Sequence, residues 1–482
     1  MNNMKDTIQK MTNYRWTICA MLFFATMVNY MDRQVLSLTW KDFIAPEFHW
    51  TNNDYGNITA LFSIFYAVSM LFAGRFVDWM DTKKGFLWAI GIWSVGAMLH
   101  AFCGIATSGI TTGKWLVGFA GANEAIATVG NIGMVTTVSV TLFIFARFVL
   151  AVGEAGNFPA AIKATAEYFP KKDRAYATSI FNAGSTIGAL AAPLSIPLIA
   201  KYYGWEMSFI IIGALGFIWM GFWIFIYKKP EKHPKVNQAE LDYIHCDCEA
   251  HEKNAGEKEK VSFLQCFKYK QTWAFAFGKF MTDGVWWFYL FWMPAYLSDV
   301  FGVKSSDGKG QLAIFIIYLI VMLSIYGGKL PTIIINKTGK NPYAARMQAM
   351  LIFAFFPLLA LLAQPLGEYS MWIPVVIIGI AGAAHQSWSA NIFSTVGDMF
   401  PKKAIATITG IGGMAGGVGS FLINKGSGWL FDYSANTEMT LFGFKGIESG
   451  YFIVFCVCAV AYLIGWMVMK ALVPKYKLIT DL

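Results

Sequence analysis

Apolar runs of about 20 residues, the length that an α-helix needs to cross a hydrocarbon core, recur along this chain of 482 residues. Hydrophobic residues make up 56% of the sequence and charged residues only 14%, which excludes an ordinary soluble domain. The pattern predicts an all-α integral membrane protein with twelve transmembrane helices. The predicted spans are 16–38, 57–77, 85–105, 138–157, 178–200, 209–227, 273–296, 312–335, 348–366, 372–395, 405–423 and 451–472.

The distribution of basic residues predicts the orientation. Most of the 38 lysine and arginine residues fall on the side of the amino terminus. The positive-inside rule then places both termini in the cytoplasm and the protein in the cell membrane as a multi-pass protein. This bias accounts for the net charge of +9 without a nucleic-acid partner. The cysteines lie in spans or on the inner side, so no disulfide is expected.

One longer inner segment, 228–270, is rich in lysine and glutamate and predicts a charged cytoplasmic linker. It is too short for an ordinary catalytic domain, so we expect no enzyme activity. Histidine and cysteine residues cluster within it at His233, His245, Cys246, Cys248 and His251. Their spacing lacks the paired pattern of a metal site, so we expect no metal and no cofactor.

The chain contains an internal repeat. Phe-Pro-Lys-Lys at 169–172 recurs at 400–403, each time before a glycine-rich span. Gly74-Arg75 after the second span is matched by Gly328-Lys329 after the eighth, at a larger offset. The difference between the offsets requires an insertion in the first repeat, which we assign to 106–137.

The repeat predicts two six-helix, pseudo-symmetric halves. The first half is 1–227, with the insertion at 106–137 on the outer side, and the second is 271–482. We expect the insertion to form a weakly amphipathic helix on the membrane surface. A thirteenth span there would invert every later loop against the charge bias.

Four charged residues interrupt the apolar spans: Asp32, Arg33, Arg147 and Glu154. Each costs roughly 2.5 to 3.5 kcal/mol at membrane depth unless it faces a partner or a watery cavity. Arg147 and Glu154 are two helical turns apart and share a face, which Asn157 joins one turn later. We expect this face to line a cavity, although a static salt-bridge cluster between the first and fourth spans is the alternative.

The types of these charges indicate the chemistry. Arginine presents a planar fork that matches a carboxylate or phosphate, which favours an anionic substrate. Desolvation favours the protonated form of a buried carboxylate, so Asp32 and Glu154 are candidates for carrying protons. An uncoupled carrier would not need these carboxylates beside the arginines. The pattern therefore favours a proton symporter.

Two parallel repeats of six spans joined by a basic inner linker resemble the major facilitator superfamily. The stretch Gly74-Arg-Phe-Val-Asp78, followed by Lys83 and Lys84, is similar to the signature of that superfamily after the second span. The resemblance implies that these residues latch the halves on the inner side.

Four further stretches resemble the anion:cation symporter family, and within it the hexuronate transporters. They are Asn29-Tyr-Met-Asp-Arg33, Arg147 with Gly153-Glu154-Ala155, Thr282-Asp-Gly-Val-Trp-Trp-Phe288, and Ala384-His-Gln-Ser-Trp-Ser-Ala-Asn-Ile-Phe393. The resemblance covers essentially the whole chain outside 106–137. It implies proton-coupled import of a sugar-acid anion, most closely glucuronate or galacturonate, by alternating access.

By this resemblance Arg33 clamps the substrate carboxylate beside Tyr66, Asp32 and Glu154 carry protons, and Arg147 couples them. The other residues expected to face the sugar are Asn157, Trp287, Tyr289, Trp292, His385, Gln386, Trp388 and Asn391. Lys279 and Asp283, one turn apart, are expected to pair as a structural or gating element.

Several alternatives stay open on the sequence alone. An aldonate or other organic-anion symporter and an anion exchanger share the same architecture. A membrane sensor or a channel is more remote, because a channel needs no alternating halves. We expect a monomer whose partners are the sugar-acid anion, protons and the lipid bilayer.

Overall fold

The computed structural model describes residues 11–246 and 262–480, and nearly all of them are helical. The first half consists of α1 (Arg15–Thr39), a π-helical segment (Trp40–Ile44), α2 (Ala45–Phe48), α3 (Asn52–Met80), α4 (Thr82–Thr112), α5 (Phe119–Ala127), α6 (Ile132–Glu154), α7 (Asn157–Tyr168), α8 (Lys171–Tyr203) and α9 (Trp205–Ile226). The linker contributes a 3₁₀ turn (Pro230–Lys232), α10 (Gln238–His245) and α11 (Phe263–Cys266).

The second half begins with α12 (Lys270–Phe301) and α13 (Gly308–Val321), which continues through a 3₁₀ segment (Met322–Lys329) into α14 (Leu330–Thr338). It goes on with α15 (Pro342–Phe355), a 3₁₀ segment (Phe356–Leu362), α16 (Ala363–Gly367), α17 (Trp372–Met399) and α18 (Lys402–Asn436). A small antiparallel hairpin, Thr440–Leu441 with Phe444–Lys445, precedes α19 (Ile447–Leu472).

Every predicted span falls on one of these helices or on a continuous run of them, so the all-α membrane architecture is confirmed. Within the described ranges, nine helical stretches are long and apolar enough to cross a membrane. The remaining three spans are α1, α12 and α18, which carry more polar and charged residues. The spans richest in polar residues are therefore among those that bring the two halves together.

The fourth span differs from its prediction because it consists of two helices. The structure extends it over α6 and α7, well beyond the predicted end at residue 157, with a break at Ala155 and Gly156. Pro159 explains the break, since it has no N–H to donate to the Ala155 carbonyl and its ring crowds that group. Glu154 thus lies at the end of α6, next to irregular backbone.

The predicted insertion is largely helical in the structure. Helix α4 continues to Thr112 and α6 begins at Ile132, so the insertion predicted at 106–137 includes the end of α4 and the start of α6, and its bounds stay a prediction. Between these helices α5 packs against α4 and against α2. Its Asn123 side chain hydrogen-bonds to the buried Glu206, which lies near the part-buried Glu47. The insertion therefore packs on the helix ends of the first half.

Both described ends of the chain and the linker lie at the same end of the helix bundle, here called the terminal end. The opposite end is called the distal end. At the distal end α3 and α18 are in close contact. A Cβ at Gly56 would lie only 2.9 Å from the Asn424 carbonyl and 3.1 Å from Gly428 Cα. At the terminal end of α3 a Cβ at Gly74 would meet nothing within 4 Å.

Candidate functional site

An ion pair lies at the centre of the first half. Arg33 in α1 donates from Nε and Nη2 to Oε2 of Glu154, at 2.9 and 2.7 Å. Glu154 is fully buried and Arg33 is 4% exposed. Gly153 holds this end of α6 against α4, where a Cβ would lie 2.3 Å from the Trp93 nitrogen. Charged residues of the first and fourth spans are thus in direct contact.

Three aromatic rings surround the Arg33 guanidinium. Its central carbon lies 4.7 Å from the Tyr66 ring, 5.0 Å from Trp287 and 5.2 Å from Tyr30. Each of these rings remains partly exposed. Trp287 belongs to α12, so the second half supplies one wall of the enclosure. A desolvated cation over a ring gains about 2 kcal/mol, which orients the guanidinium in the cleft between the halves.

The other two membrane charges are buried without direct pairing. Asp32 is 1% exposed and Arg147 is 2% exposed. Both carboxylate oxygens of Asp32, and Nε and Nη1 of Arg147, have no hydrogen-bond partner in the described ranges. Arg147 instead lies over the Phe62 ring at 5.1 Å. The four charges therefore form one ion pair with two unpaired charges beside it, and not a closed salt-bridge cluster.

In the second half, His385 lies in a web of rings. Its Nδ1 is 2.8 Å from the Tyr462 hydroxyl, which is itself 3.5 Å from the Thr282 carbonyl. Trp286 stacks on the imidazole with ring centroids 5.3 Å apart and an angle of 4°. Stacking on one side and a hydrogen bond at Nδ1 fix the orientation of the ring. His385 is thus rigidly held inside the second half.

Lys279 and Asp283 form the expected pair one turn apart on α12. The Lys279 Nζ lies 2.8 Å from Asp283 Oδ1 and 4.2 Å from the centre of the Phe393 ring. The prediction that they pair is confirmed. Whether the pair acts in gating stays a prediction.

Two predicted substrate tryptophans are wholly enclosed by protein. Trp292 donates from Nε1 to Asn424 Oδ1 at 2.9 Å and packs edge-on against Trp40 of the first half. Trp388 packs edge-on against Tyr462. Both are 0% exposed. Trp292 therefore belongs to the distal contact between the halves, and Trp388 to the interior of the second half.

The remaining predicted substrate residues have different surroundings. Gln386 is partly exposed. Asn391 is buried and donates to the Ser387 carbonyl at 2.8 Å. Tyr289 lines a small cavity between α1, α12, α13 and α17 with room for about one water molecule. Asn157 is 0% exposed and neither atom of its amide has a hydrogen-bond partner in the described part of the chain.

The signature after the second span lies at the terminal end of α3 and the start of α4. Lys83 donates to the Ile224 carbonyl at 2.6 Å, within the first half. Lys84 is exposed, and Gly74 has open space around it. The side chain of Asp78 lies outside the described part of the structure. The inner latch stays a prediction.

Polar bridges join the halves at the distal end. They are Lys41–Asp299 (2.7 Å), Asp42–Ser305 (2.7 Å), Asp432–Asn53 (2.7 Å) and Lys425–Asn53 (3.0 Å). Asp42 accepts from both the backbone nitrogen and the hydroxyl of Ser305. These bonds close the distal end of the cleft.

In the linker, His233 stacks on Tyr14 at 4.1 Å, and its Nε2 lies 3.1 Å from the Ile226 carbonyl. Among the described residues no group of three or more histidine, cysteine, aspartate or glutamate side chains is suited to a metal ion. Cys248 and His251 of the predicted cluster lie outside the described residues.

Three site residues were not anticipated from the sequence. Tyr30 lies inside the Asn29–Arg33 motif, whose pattern did not indicate a role for it. Trp286 is the neighbour of the predicted Trp287. Tyr462 in the last span had no local signal, because only tertiary packing brings it to His385.

Comparison with known proteins gives a consistent result. The family model described as Major Facilitator Superfamily matches residues 22–424. A hexuronate transporter of Escherichia coli (strain K12) is 27% identical over 429 residues, covering 88% of this chain and 89% of that protein. A galacturonate transporter of Dickeya chrysanthemi is 27% identical over 298 residues, covering 62% and 76%. A probable galactarate/D-glucarate transporter of Escherichia coli (strain K12) is 23% identical, covering 91% and 93%.

Solved structures show the same fold. A bacterial homologue of the human lysosomal transporter Spinster, in an inward-facing and occupied conformation, superimposes with a TM-score of 0.67 at 16% identity, covering 95% of this chain and 97% of that one. A D-xylose-proton symporter superimposes with a TM-score of 0.65 at 15% identity, covering 96% and 100%.

Proposed function

The chain belongs to the Major Facilitator Superfamily, and we propose that it is a proton-coupled symporter that imports a hexuronate across the cell membrane. Membership makes it a membrane transporter and not an enzyme. The similarity to transporters of hexuronates and of galacturonate supports a sugar acid as the substrate. We propose that it works as a monomer with both termini in the cytoplasm.

The observation that carries this proposal is the Arg33–Glu154 pair between partly exposed aromatic rings. Arg33 is a fork for a carboxylate at the cleft between the halves, and an internal carboxylate occupies it. A substrate carboxylate and Glu154 therefore compete for the same guanidinium. Protonation of Glu154 weakens its hold on Arg33 and lets the substrate take its place, which links the two events.

Asp32 and Arg147 extend this exchange. Asp32 lies within electrostatic reach of Glu154, Arg147 and Arg33 and has no direct partner, so a change of charge at one site changes the balance at the others. We assign Asp32 and Glu154 as the proton-carrying groups and Arg147 as the fixed charge between them.

The second half supplies recognition in this proposal. Sugar hydroxyls need donors and acceptors such as the amides of Gln386 and Asn391 and the imidazole of His385. The apolar faces of the sugar suit the Trp286 and Trp287 rings. With the distal end taken as the outside, the bridged distal end corresponds to a state closed to the outside. Import then requires the Lys41–Asp299 and Asp42–Ser305 bridges to open in turn.

Uptake of labelled glucuronate and galacturonate into proteoliposomes tests this function, with and without an inward proton gradient. The proposal expects the gradient to stimulate and concentrate uptake of at least one of them. Exchange of internal for external substrate without any response to the gradient would instead indicate an anion exchanger. Gradient-driven uptake of glucarate, and of neither hexuronate, would favour the sugar diacids suggested by the 23% identical relative.

A further inference from the structure

Two buried amides lie beside the Arg33–Glu154 pair, on its terminal side. Asn29 precedes Arg33 by about one turn of α1, and Asn157 is the first residue of α7, just after Glu154. Both are 0% exposed. In the described ranges neither side-chain nitrogen nor side-chain oxygen of either residue has a hydrogen-bond partner.

The register of the helices places these amides at the same level. Helix α1 and the α6–α7 span run antiparallel, because Arg33 meets Glu154 while Trp50, after α1, donates to Ser139 near the start of α6. At a rise of about 1.5 Å per residue, Asn29 lies roughly 6 Å closer to the terminal end than Arg33 does. Asn157 lies roughly 4.5 Å closer to the terminal end than Glu154 does. Helices α1 and α7 are in contact.

Such amides need a partner. An unsatisfied buried polar group costs about 1–3 kcal/mol, and buried groups without a protein partner are usually bonded to ordered water. Two nearby carboxyl groups also have oxygen atoms without a hydrogen-bond partner. Both oxygens of Asp32 and Oε1 of Glu154 also have no partner in the described chain. Asp32 follows Asn29 by three residues, so it shares a face of α1 with that amide.

The break in the fourth span supplies the irregular backbone that water can bond. Pro159 leaves the Ala155 carbonyl without its helical donor, directly between Glu154 and Asn157. The Asp32 and Glu154 carboxyl groups, the two amides and the Ala155 carbonyl therefore lie on neighbouring turns of α1 and of the α6–α7 break. Water with two to four polar neighbours is a stable part of such a site.

We propose that Asn29 and Asn157 are positioning residues that hold buried water against Asp32 and Glu154, and that this water conducts protons between the carboxylates and the terminal side. The amide nitrogens donate to water and the amide oxygens accept from it. Water accepts the proton of the carboxylic acid and passes another proton onward, so only O–H bonds form and break. The proposal rests on the proton-coupled function proposed above, and it moves Asn157 from the substrate to the proton route.

Leucine is close in shape to asparagine and cannot hold water, so Asn29→Leu and Asn157→Leu are the informative variants. In proteoliposomes we expect gradient-driven glucuronate uptake to fall by about 10-fold or more, as for loss of a proton-transfer route. Substrate exchange without a gradient should stay within about twofold, and glucuronate affinity should be unchanged. Asn157→Ser, which keeps a group that bonds water, should restore part of the uptake.

Thr26→Val is the matched control. Thr26 is buried one turn before Asn29 in α1, but its hydroxyl already donates to the Leu22 carbonyl at 3.0 Å. Its replacement should change neither uptake nor exchange. Equal loss of uptake and exchange in the asparagine variants, weaker glucuronate binding by Asn157→Leu, or no change in any of these readouts would overturn the proposal.

A second measurement separates this inference from the proposed function. If uptake by the unmodified protein ignores the pH gradient, the symport proposal fails. The water site is tested independently by an experimental density map at high resolution. Ordered water within hydrogen-bonding distance of both amides supports the site. Amides turned onto protein acceptors, in a dry pocket, contradict it.

Discussion

The two halves share a backbone plan but bury different chemistry. The first half encloses Asp32, Arg33, Arg147 and Glu154, each at most 4% exposed. The second half encloses rings and amides around His385. The Phe-Pro-Lys-Lys repeats at 169–172 and 400–403 have the same offset as Glu154 and His385, so a carboxylate and a histidine occupy equivalent positions. In the proposed function, the repeat therefore supplies one framework for both coupling and recognition.

This difference indicates how coupling and recognition can be separated. Buried charges interact strongly over several ångströms in a medium of low dielectric. A proton added to one carboxylate therefore changes the electrostatic energy of all four charged residues. Aromatic rings and hydrogen-bonding groups act only at short range, so they respond to the shape of the substrate. Arg33 is the point of contact, since its guanidinium is bonded to Glu154 and covered by Trp287 of the other half.

The largest expected effect comes from Arg33→Lys. Lysine keeps the charge but cannot donate two fork hydrogen bonds to Glu154 or to a substrate carboxylate. We expect uptake efficiency to fall by roughly 100-fold or more, through both binding and coupling. Initial rates at varied glucuronate concentration measure this. The control is Arg346→Lys, in a part-buried pair with Asp398 away from the cleft, which should change uptake by less than about threefold. Equal effects would remove Arg33 from the site.

Glu154→Gln tests the coupling half. Glutamine keeps the shape and an oxygen acceptor but cannot carry a proton. We expect gradient-driven uptake to fall by about 30-fold or more and exchange to persist. The measurement compares both modes in the same vesicles, with exposed Glu368→Gln as the control. Concentrative uptake that survives in Glu154→Gln would show that this carboxylate does not couple transport.

His385→Ala tests the recognition half. Loss of one oriented hydrogen-bonding ring should weaken glucuronate binding by about 10-fold, which corresponds to about 1.4 kcal/mol. Tyr462→Phe, which removes only the hydroxyl beside Nδ1, should have a smaller effect of about threefold. Binding measured by calorimetry and the ratio of driven uptake to exchange separate the two roles. A changed ratio with unchanged affinity would place His385 in the proton route.

The smallest expected effect lies at the insertion. Glu47 in α2 lies outside the spans and accepts from Trp205 Nε1 at 2.8 Å. Burial raises the pKa of Glu47 to about 8, the Trp205 bond opposes this, and nearby Glu206 adds to it. The folded state therefore prefers the protonated acid. The associated stability is fully present below the unfolded pKa of about 4.5 and is lost as the pH rises through about 8.

Glu47→Gln should remove this dependence on pH. We expect its melting temperature in detergent to exceed that of the unmodified protein by about 2–4 °C at pH 8, and the two to agree near pH 4.5. Exposed Glu124→Gln on α5 is the control and should match the unmodified protein at each pH. Parallel melting curves for Glu47→Gln and the unmodified protein from pH 5 to pH 8 would contradict the account of Glu47.

The sequence was sufficient for the spans and for the central charges. Apolar length gives spans directly, and charges such as Arg33 and Glu154 stand out because they are costly in lipid. The break at Ala155 was missed because an apolar run continues through it, although Pro159 was a signal. The pairing of His385 with Tyr462 could not be predicted, because it depends on how α17 and α19 pack. Likewise, the sequence predicts Trp292 to be a binding residue, but the structure encloses it in the distal contact between the halves.

Measuring proton influx and glucuronate uptake together in one set of proteoliposomes tests most directly whether the first half couples transport and the second half recognises the substrate. We predict that the unmodified protein and His385→Ala move protons and glucuronate in the same ratio, at different apparent affinities. In Glu154→Gln proton influx should vanish while glucuronate exchange continues. An unchanged proton-to-glucuronate ratio in Glu154→Gln would contradict the claim that the first half carries the coupling.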